Sequence, residues 1–317
     1  MANTQTEGLK DLFNAKVPYE EIIDGRTAKE NGSFLSLFNT IKATGKPTEV
    51  YVEKESAMAK ITPELTSPLA KDNKLEKKQL TLKRFATKIE VSQQFINDSA
   101  VDYESYLTDL LTKRLILGLE QGITYVGDPN GNTNGNIQLL SQGANGFTSA
   151  NTFNKVEIEF ELVQKLASSF FDINKRENCF WIFNTYTQVT NKAGNDCITY
   201  DNLPHGAVGR LLGIPIYISQ LTTSVLGKQM ACVLVNPNAY TLVLGDIKIE
   251  QLKQGTDESV RGVHVFQGEL YADGVVTNPN ARMAIEYAPE IKQASVTEQS
   301  IDEPKPAKRK ATKIEKE

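Results

Sequence analysis

Residues 91–128 read VSQQFINDSAVDYESYLTDLLTKRLILGLEQGITYVGD, and the rest of the chain is organised around them. Ser92 stands where it can cap a short helix. A long helix is predicted from about Asp102 to Val126. Tyr103, Tyr106, Leu107, Leu110 and Leu111 share one face of its first turns. Asp102, Ser105, Thr108, Asp109 and Thr112 share the other, so the helical period is clear. From Leu115 to Leu119 the apolar residues spread around the circumference, which predicts burial on several sides. Gly127 followed by Asp128-Pro129 is a stop signal. At 1.5 Å per residue the predicted helix is a rod of roughly 35–40 Å.

The chain has 317 residues, enough for one to three domains with a large core. Its 40% hydrophobic and 23% charged content is that of an ordinary soluble globular protein. A net charge of −4 argues against a strongly basic nucleic-acid binder, although local basic patches stay open. No apolar run is long enough to span a membrane, and the N-terminus carries no secretory pattern. Cys179, Cys197 and Cys232 are too few and too scattered for a disulfide framework, so reduced, intracellular thiols are expected.

Residues 1–47 carry too little apolar pattern for a compact unit, with a helical patch at Leu35–Ile41, and are expected to lie as an arm on something else. Glu49–Glu53 alternates as a strand. Leu80 and Leu82 form one alternating set, and Phe85, Ile89 and Val91 another. The parity switch near Lys83-Arg84 predicts a bulge or twist. The polar stretch between them holds Lys71, Lys74, Lys77 and Lys78 and makes the charged tip of a long hairpin. An isolated two-stranded ribbon is marginal in water, so this one needs a neighbour, within the chain or on another chain.

After the long helix, Asp128, Asn130 and Asn132 alternate as in a calcium loop. Thr133 replaces the turn glycine and Leu139 the bidentate glutamate, so the stretch reads instead as Asn/Gly turns. A second unit opens with a capping-box-like Asn154 and Glu157. A helix follows with Val156, Phe160, Val163, Leu166, Ala167 and Phe170 on one face. Cys179–Phe183 reads as a buried strand and Tyr186–Lys192 as a helical piece. Leu211–Ile218 reads as a turn into a strand, and Ala231–Asn236 and Tyr240–Leu244 as two more. Extended stretches follow at Ile247–Glu250 and Val263–Tyr271, then a turn at Asp273-Gly274 and a strand at Ala281–Tyr287. The charged tail 289–317 is expected to be disordered. Helices and strands without a β-α-β rhythm give the fold class α+β.

No catalytic, cofactor or metal site is predicted. His205 and His264 have no motif-spaced partner, and G-x-S-x-G, P-loop, dinucleotide, C-x-x-C and H-E-x-x-H patterns are absent from the sequence. An enzyme on an α+β scaffold is therefore the remote reading.

The order of features resembles the tailed-bacteriophage major capsid protein family, with its Hong Kong 97-like fold. Lys88-Ile89-Glu90-Val91-Ser92, with Phe95 and Asp98-Ser99, is similar to the family's approach to its spine helix. Trp181-Ile182-Phe183-Asn184 with Thr187 resembles a strand-to-helix step, and Leu212-Gly213-Ile214-Pro215-Ile216 a characteristic turn. Gly127-Asp128 through Gly135-Asn136-Ile137, Gly245-Asp246 and Ala272-Asp273-Gly274-Val275-Val276 with Pro279 and Ala281 fall in the family's order too. The resemblance covers roughly residues 48–288.

That resemblance implies an N-terminal arm (1–47), an extended β-hairpin loop (48–90) and a peripheral domain with the spine helix (91–153). An axial domain (154–255), return strands (256–288) and a charged tail (289–317) complete the division. It implies self-assembly through hexamers and pentamers into an icosahedral virion shell, formed in the host bacterial cytoplasm. The shell would enclose double-stranded DNA without sequence readout. Lys71, Lys74, Lys77, Lys78 and Arg84 become candidate inter-subunit contacts on the loop. The stretch before the hairpin has no room for a fused scaffolding segment, so a separate scaffolding protein, or assembly with no scaffold, is expected, with a portal. No membrane and no cofactor are implied. The alternative within the same fold is an encapsulin-like compartment holding cargo enzymes.

Overall fold

The computed structural model of the chain describes residues 13–18, 33–44, 48–53, 64, 75–98, 102–124, 137–141, 143–152, 157–172, 174, 176, 178–184, 188–204, 206–219, 221, 230–252 and 261–288. In chain order the strands begin with β1 (Asn14–Val17), β2 (Asn39–Lys42), β3 (Thr48–Glu53), β4 (Leu75–Leu80) and β5 (Lys83–Ser92). Helices α1 (Gln93–Asp98) and α2 (Tyr103–Thr124) follow, then β6 (Asn145–Thr152), β7 (Glu157–Glu159) and α3 (Phe160–Phe171). The remaining strands are β8 (Phe180–Asn184), β9 (Gln188–Thr190), β10 (Gly209–Leu211), β11 (Ile214–Ser219), β12 (Met230–Val235), β13 (Tyr240–Leu244), β14 (Ile247–Gln251), β15 (Val263–Val276) and β16 (Arg282–Ala288). Few helices and many strands make the chain α+β, as the sequence predicts.

Both helices of the opening stretch start on side-chain caps. Ser92 Oγ accepts the Phe95 N–H at 3.2 Å. Asp102 Oδ1 accepts the N–H groups of Glu104 at 3.2 Å and Ser105 at 3.5 Å. These bonds satisfy amides that have no partner inside the first turn. Over its 22 residues α2 buries Leu107, Leu111, Thr112, Leu115, Ile116, Leu119 and Ile123. At 3.6 residues per turn these, with Thr124, cover about two-thirds of the circumference. Burial thus reaches several sides of the helix, with Glu120 largely buried too. Leu117 and Tyr106 are 45% and 51% exposed, whereas Thr112, assigned to the polar face, points inward. Strands β15 and β5 cover one side of α2. Gly268 of β15 permits the close approach, since a Cβ there would stand 3.2 Å from Leu115 Cδ1.

That first sheet is built on β15. Strands β13 and β14 pair along it in succession, from Tyr240↔Val276 to Leu244↔Ala272 and then from Lys248↔Glu269 to Gln251↔Phe266. The Gly245 N–H donates to Tyr271 O at 2.8 Å between them. Strand β5 pairs with β15 from Val263↔Ser92 to Ala272↔Lys83. Strands β1 and β2 add to β14 and β13. The second sheet has the order β10-β11-β8-β12-β16-β6. It is covered on both faces, which is why β8 and β12 are buried at every position. Phe180 and Ile182 face the core shared with α2, while Trp181 and Phe183 face a second core made with α3.

Each sheet draws strands from distant parts of the chain. Strand β6, from segment 91–153, pairs in the second sheet. Strands β13 and β14, from segment 154–255, pair in the first. The described part of the N-terminal region is woven into the body: Phe34, Leu35 and Phe38 are core residues, and the Phe38 ring lies 5.5 Å from Phe180. The expected helical patch at Leu35–Ile41 is one 3-10 turn, Phe34–Leu37, followed by β2.

Helix α3 starts at Phe160, later than the capping-box pattern predicts, because Glu157–Glu159 pair in parallel with β9. That pairing also makes Gln188–Thr190 a strand rather than part of a helix, with Val189 buried. The Leu212-Gly213 turn is present, with φ of 55° and 78°. Asp273-Gly274 is no turn, since β15 runs straight through it. Gly274 answers a close approach instead, as a Cβ there would sit 2.4 Å from the Tyr240 hydroxyl oxygen. The calcium-like loop from Asp128 to Asn136 and the tail 289–317 lie outside the described residues.

Candidate functional site

Strands β3 and β4 form a two-stranded ribbon, registered from Thr48↔Leu80 to Glu53↔Leu75. Alternation puts Val50, Val52 and Leu80 on the covered side, while Tyr51 on the other is 62% exposed. The ribbon's base rests on the first sheet, where Val50 and Leu80 cluster with Val243 and Val275, flanked by Ala43 and Leu82. The predicted need for a partner is therefore met within the chain at the base.

At the base the chain leaves one sheet and joins another. Residues 81–82 lie outside both β4 and β5, and this break underlies the parity switch in the sequence. Asp273 sits beneath it, only 6% exposed. Its Oδ2 accepts the Thr81 N–H at 2.9 Å. Its Oδ1 accepts the Gly274 N–H at 2.9 Å and stands 3.8 Å from the Lys83 ammonium. Nothing in the sequence pattern beyond a charge inside an apolar run points to this role.

The predicted contact residues fall in different places. Lys77 Nζ lies 2.6 Å from Glu49 on the facing strand, and that hydrogen bond raises the lysine pKa. Lys78 stands opposite Val50 and is half-buried. Arg84 pairs with Glu269 of β15, whose carboxyl is held below its ordinary value by the guanidinium. Lys71 and Lys74 lie outside the described residues. Lys77 and Arg84 are thus engaged within their own chain.

Two groups that sequence reasoning missed tie the core together. Glu120 of α2 is largely buried, and burial pushes its carboxyl up to about 7, against the hydrogen bonds it accepts from the Ser33 hydroxyl and the Phe34 N–H. Arg282 is buried too, which lowers it to about 10, and it donates to Leu140 O. With the Tyr240 hydroxyl donating to Gln138 O at 2.6 Å and the Val276 N–H to Gln138 Oε1 at 3.1 Å, it pins the segment that follows α2.

His264 is a bridge. Its Nδ1 lies 2.7 Å from Gln251 Nε2, and its Nε2 contacts Gln93 Oε1. The ring thereby joins β14 to the start of α1 across β15. His205 lies outside the described residues. Cys179, Cys197 and Cys232 form no disulfide, and burial raises the pKa of Cys179 and Cys232. Among the described residues no three His, Cys, Asp or Glu side chains converge to hold a metal ion. No described helix is long and apolar enough to cross a membrane.

Residues 20–287 match the model of the phage capsid family. No curated protein sequence matches the chain. Among solved structures, the capsid of a native GTA particle superposes with a TM-score of 0.56 at 13% identity, over 91% of this chain and 95% of that one. A structure of Gordonia phage Cozz gives 0.54 at 13% identity, over 80% and 85%. One of Mycobacterium phage Adephagia gives 0.54 at 12% identity, over 91% and 95%. The fold is thus that of tailed-phage capsid proteins, and with a family match across most of its length the chain belongs to the phage capsid family, as a major capsid protein and structural component of the virion shell.

Proposed function

We propose that copies of this chain close into hexamers and pentamers and build an icosahedral shell around double-stranded DNA. The family match over residues 20–287 carries this reading. The ribbon supports it: a two-stranded element with a packed base and an exposed outer side gains stability from a surface on another copy. Around a ring such contacts run head to tail, each subunit offering one surface and receiving a different one. Each contact is modest, and closure multiplies them. In this reading α2 with the first sheet forms the peripheral unit, α3 with the second sheet forms the axial unit, and the ribbon is the extended loop. Lys71, Lys74, Lys77, Lys78 and Arg84 remain its candidate contact residues. The subunit performs no catalysis. Assembly takes place in the host cytoplasm with a separate scaffolding protein and a portal. A net charge of −4 suits DNA held by confinement rather than by tight phosphate binding.

The test is negative-stain microscopy of the chain expressed alone and with its flanking genes, with nuclease-protected nucleic acid assayed in the same fractions. Closed shells or rings, with protected DNA in the complete system, are expected. Shells filled with a partner enzyme and no DNA would replace this reading with a protein compartment. A compact monomer in every combination would overturn it.

A further inference from the structure

The ribbon is a lever, and its function depends on the direction in which it leaves the body. Its two described strands each have six residues, so the ladder is about 20 Å long at roughly 3.3 Å per residue. A rotation of about 10° at the base displaces its far end by roughly 3–4 Å over that length. That is enough to lose any specific hydrogen bond with a neighbour. Something must therefore fix the base beyond apolar packing, which is not directional.

Strand β5 stays in the β15 ladder up to Lys83↔Ala272 and leaves it there. One residue further along β15, backbone pairing is replaced by a side chain, with Asp273 Oδ2 taking the Thr81 N–H at 2.9 Å. The carboxylate is buried on the face that carries Val243 and Val275, directly under the ribbon. Lys83, the first residue of β5, approaches its other oxygen at 3.8 Å. Residues on both sides of the break are thus referred to one rigid point in the longest strand of the molecule.

We propose that Asp273 is the positioning residue of the ribbon, fixing its angle to the body so that its far end meets a neighbouring subunit in register. The partner is a second copy of this chain, and the inference rests on the shell-forming reading above. The residue acts through the acceptor it offers to Thr81, not through contact with the neighbour.

The distances are measured on the full chain in a Cys197→Ser background, with spin labels on cysteines introduced at Tyr51 and Lys248, both outward-facing, and shell yields are read separately on the unlabelled chain, which keeps Tyr51 and Lys248. In the unassembled subunit the reference chain is expected to give one narrow distance distribution. Asp273→Ala is expected to broaden it at least twofold and to lower the yield of closed shells about tenfold, with the circular dichroism spectrum unchanged. Asp273→Asn retains a carbonyl acceptor and is expected to stay within about twofold of the reference in both readouts. Should Asp273→Ala not fold, a glycine inserted between Leu82 and Lys83 displaces Thr81 from the carboxylate while leaving β15 intact, and the same broadening is expected. An unchanged distribution in folded Asp273→Ala, or in the glycine insertion, overturns the proposal. So does broadening in Asp273→Asn equal to that in Asp273→Ala. Because the distances are measured on unassembled subunits, they stand even if the reference chain builds no shells, an outcome that counts against the shell-forming reading alone.

Discussion

The neighbourhood of Phe180 and the ribbon of β3 and β4 are opposite solutions to the same problem of covering apolar surface. Around Phe180 the 3-10 turn at Phe34–Leu37, helix α2 and both sheets converge. Phe34, Phe38 and Tyr217 pack on its ring at 6.5, 5.5 and 5.9 Å, and nothing is left for a partner to add. In the ribbon Val50, Val52 and Leu80 are the fully covered side chains among the described residues, and Tyr51 on the other side faces solvent. The first region makes the subunit a stable object by itself. The second leaves the Tyr51 ring largely uncovered within the subunit. Disturbance of the two should therefore register in different experiments.

The largest effect is expected at the convergence. Phe180→Ala removes a fully buried ring and is expected to cost roughly 3–5 kcal/mol of unfolding free energy. Denaturant titration of unassembled subunits measures it. A loss under about 1 kcal/mol would mean that this region is loosely packed and that the contrast with the ribbon is false.

Glu120 gives the next effect, and it carries a sign. Its folded pKa lies above the ordinary value of 4.5, at about 7, so the folded chain binds the proton more tightly than the unfolded chain. Below about pH 4.5 both states are protonated and the group contributes nothing. As pH rises from there to about 7, stability falls, and above that the loss is constant at roughly 3 kcal/mol. Unfolding free energies at pH 5 and pH 8 should differ in that sense. Glu120→Gln should remove the slope and match the parent chain at low pH. A chain that gains stability from this group as pH rises would contradict the burial of the carboxyl.

Gly274→Ala comes next, at roughly 1–3 kcal/mol, because the added methyl meets the Tyr240 ring in a filled core. A thermal melt of the variant checks it. The residue also shows where sequence reading stops. Asp273-Gly274 has the composition of a turn, and only the pairing of β15 with β13, distant in the chain, makes it strand interior. Gln188–Thr190 became a strand for the same reason, through β7.

What was legible was local. The Ser92 cap, the period of α2, the alternation of the ribbon, the buried run of β8 and the Leu212-Gly213 turn are each decided within a few residues. Which strands share a sheet, which arc of α2 faces inward, and that Asp273 anchors the ribbon are decided by tertiary contacts. A carboxylate that will accept a distant N–H looks in sequence like any other. The lysines drew attention for their charge, yet Lys77 and Arg84 pair within their own chain.

The smallest effect on folding, and the one that tests the contrast most directly, lies on the outer side of the ribbon. Tyr51→Ser removes a ring that is 62% exposed and stands opposite Lys77 in the ribbon. Stability is expected to stay within about 0.5 kcal/mol of the parent chain. Assembly is expected to suffer, since a tyrosine that becomes covered at an interface is among the residues that contribute most there. The measurement pairs a denaturant midpoint with the yield of sedimenting shells. An unchanged midpoint with fewer shells places Tyr51 at a contact between copies. An unchanged midpoint with unchanged shells would mean that Tyr51 makes no contact between copies and that its side of the ribbon faces solvent even in the particle.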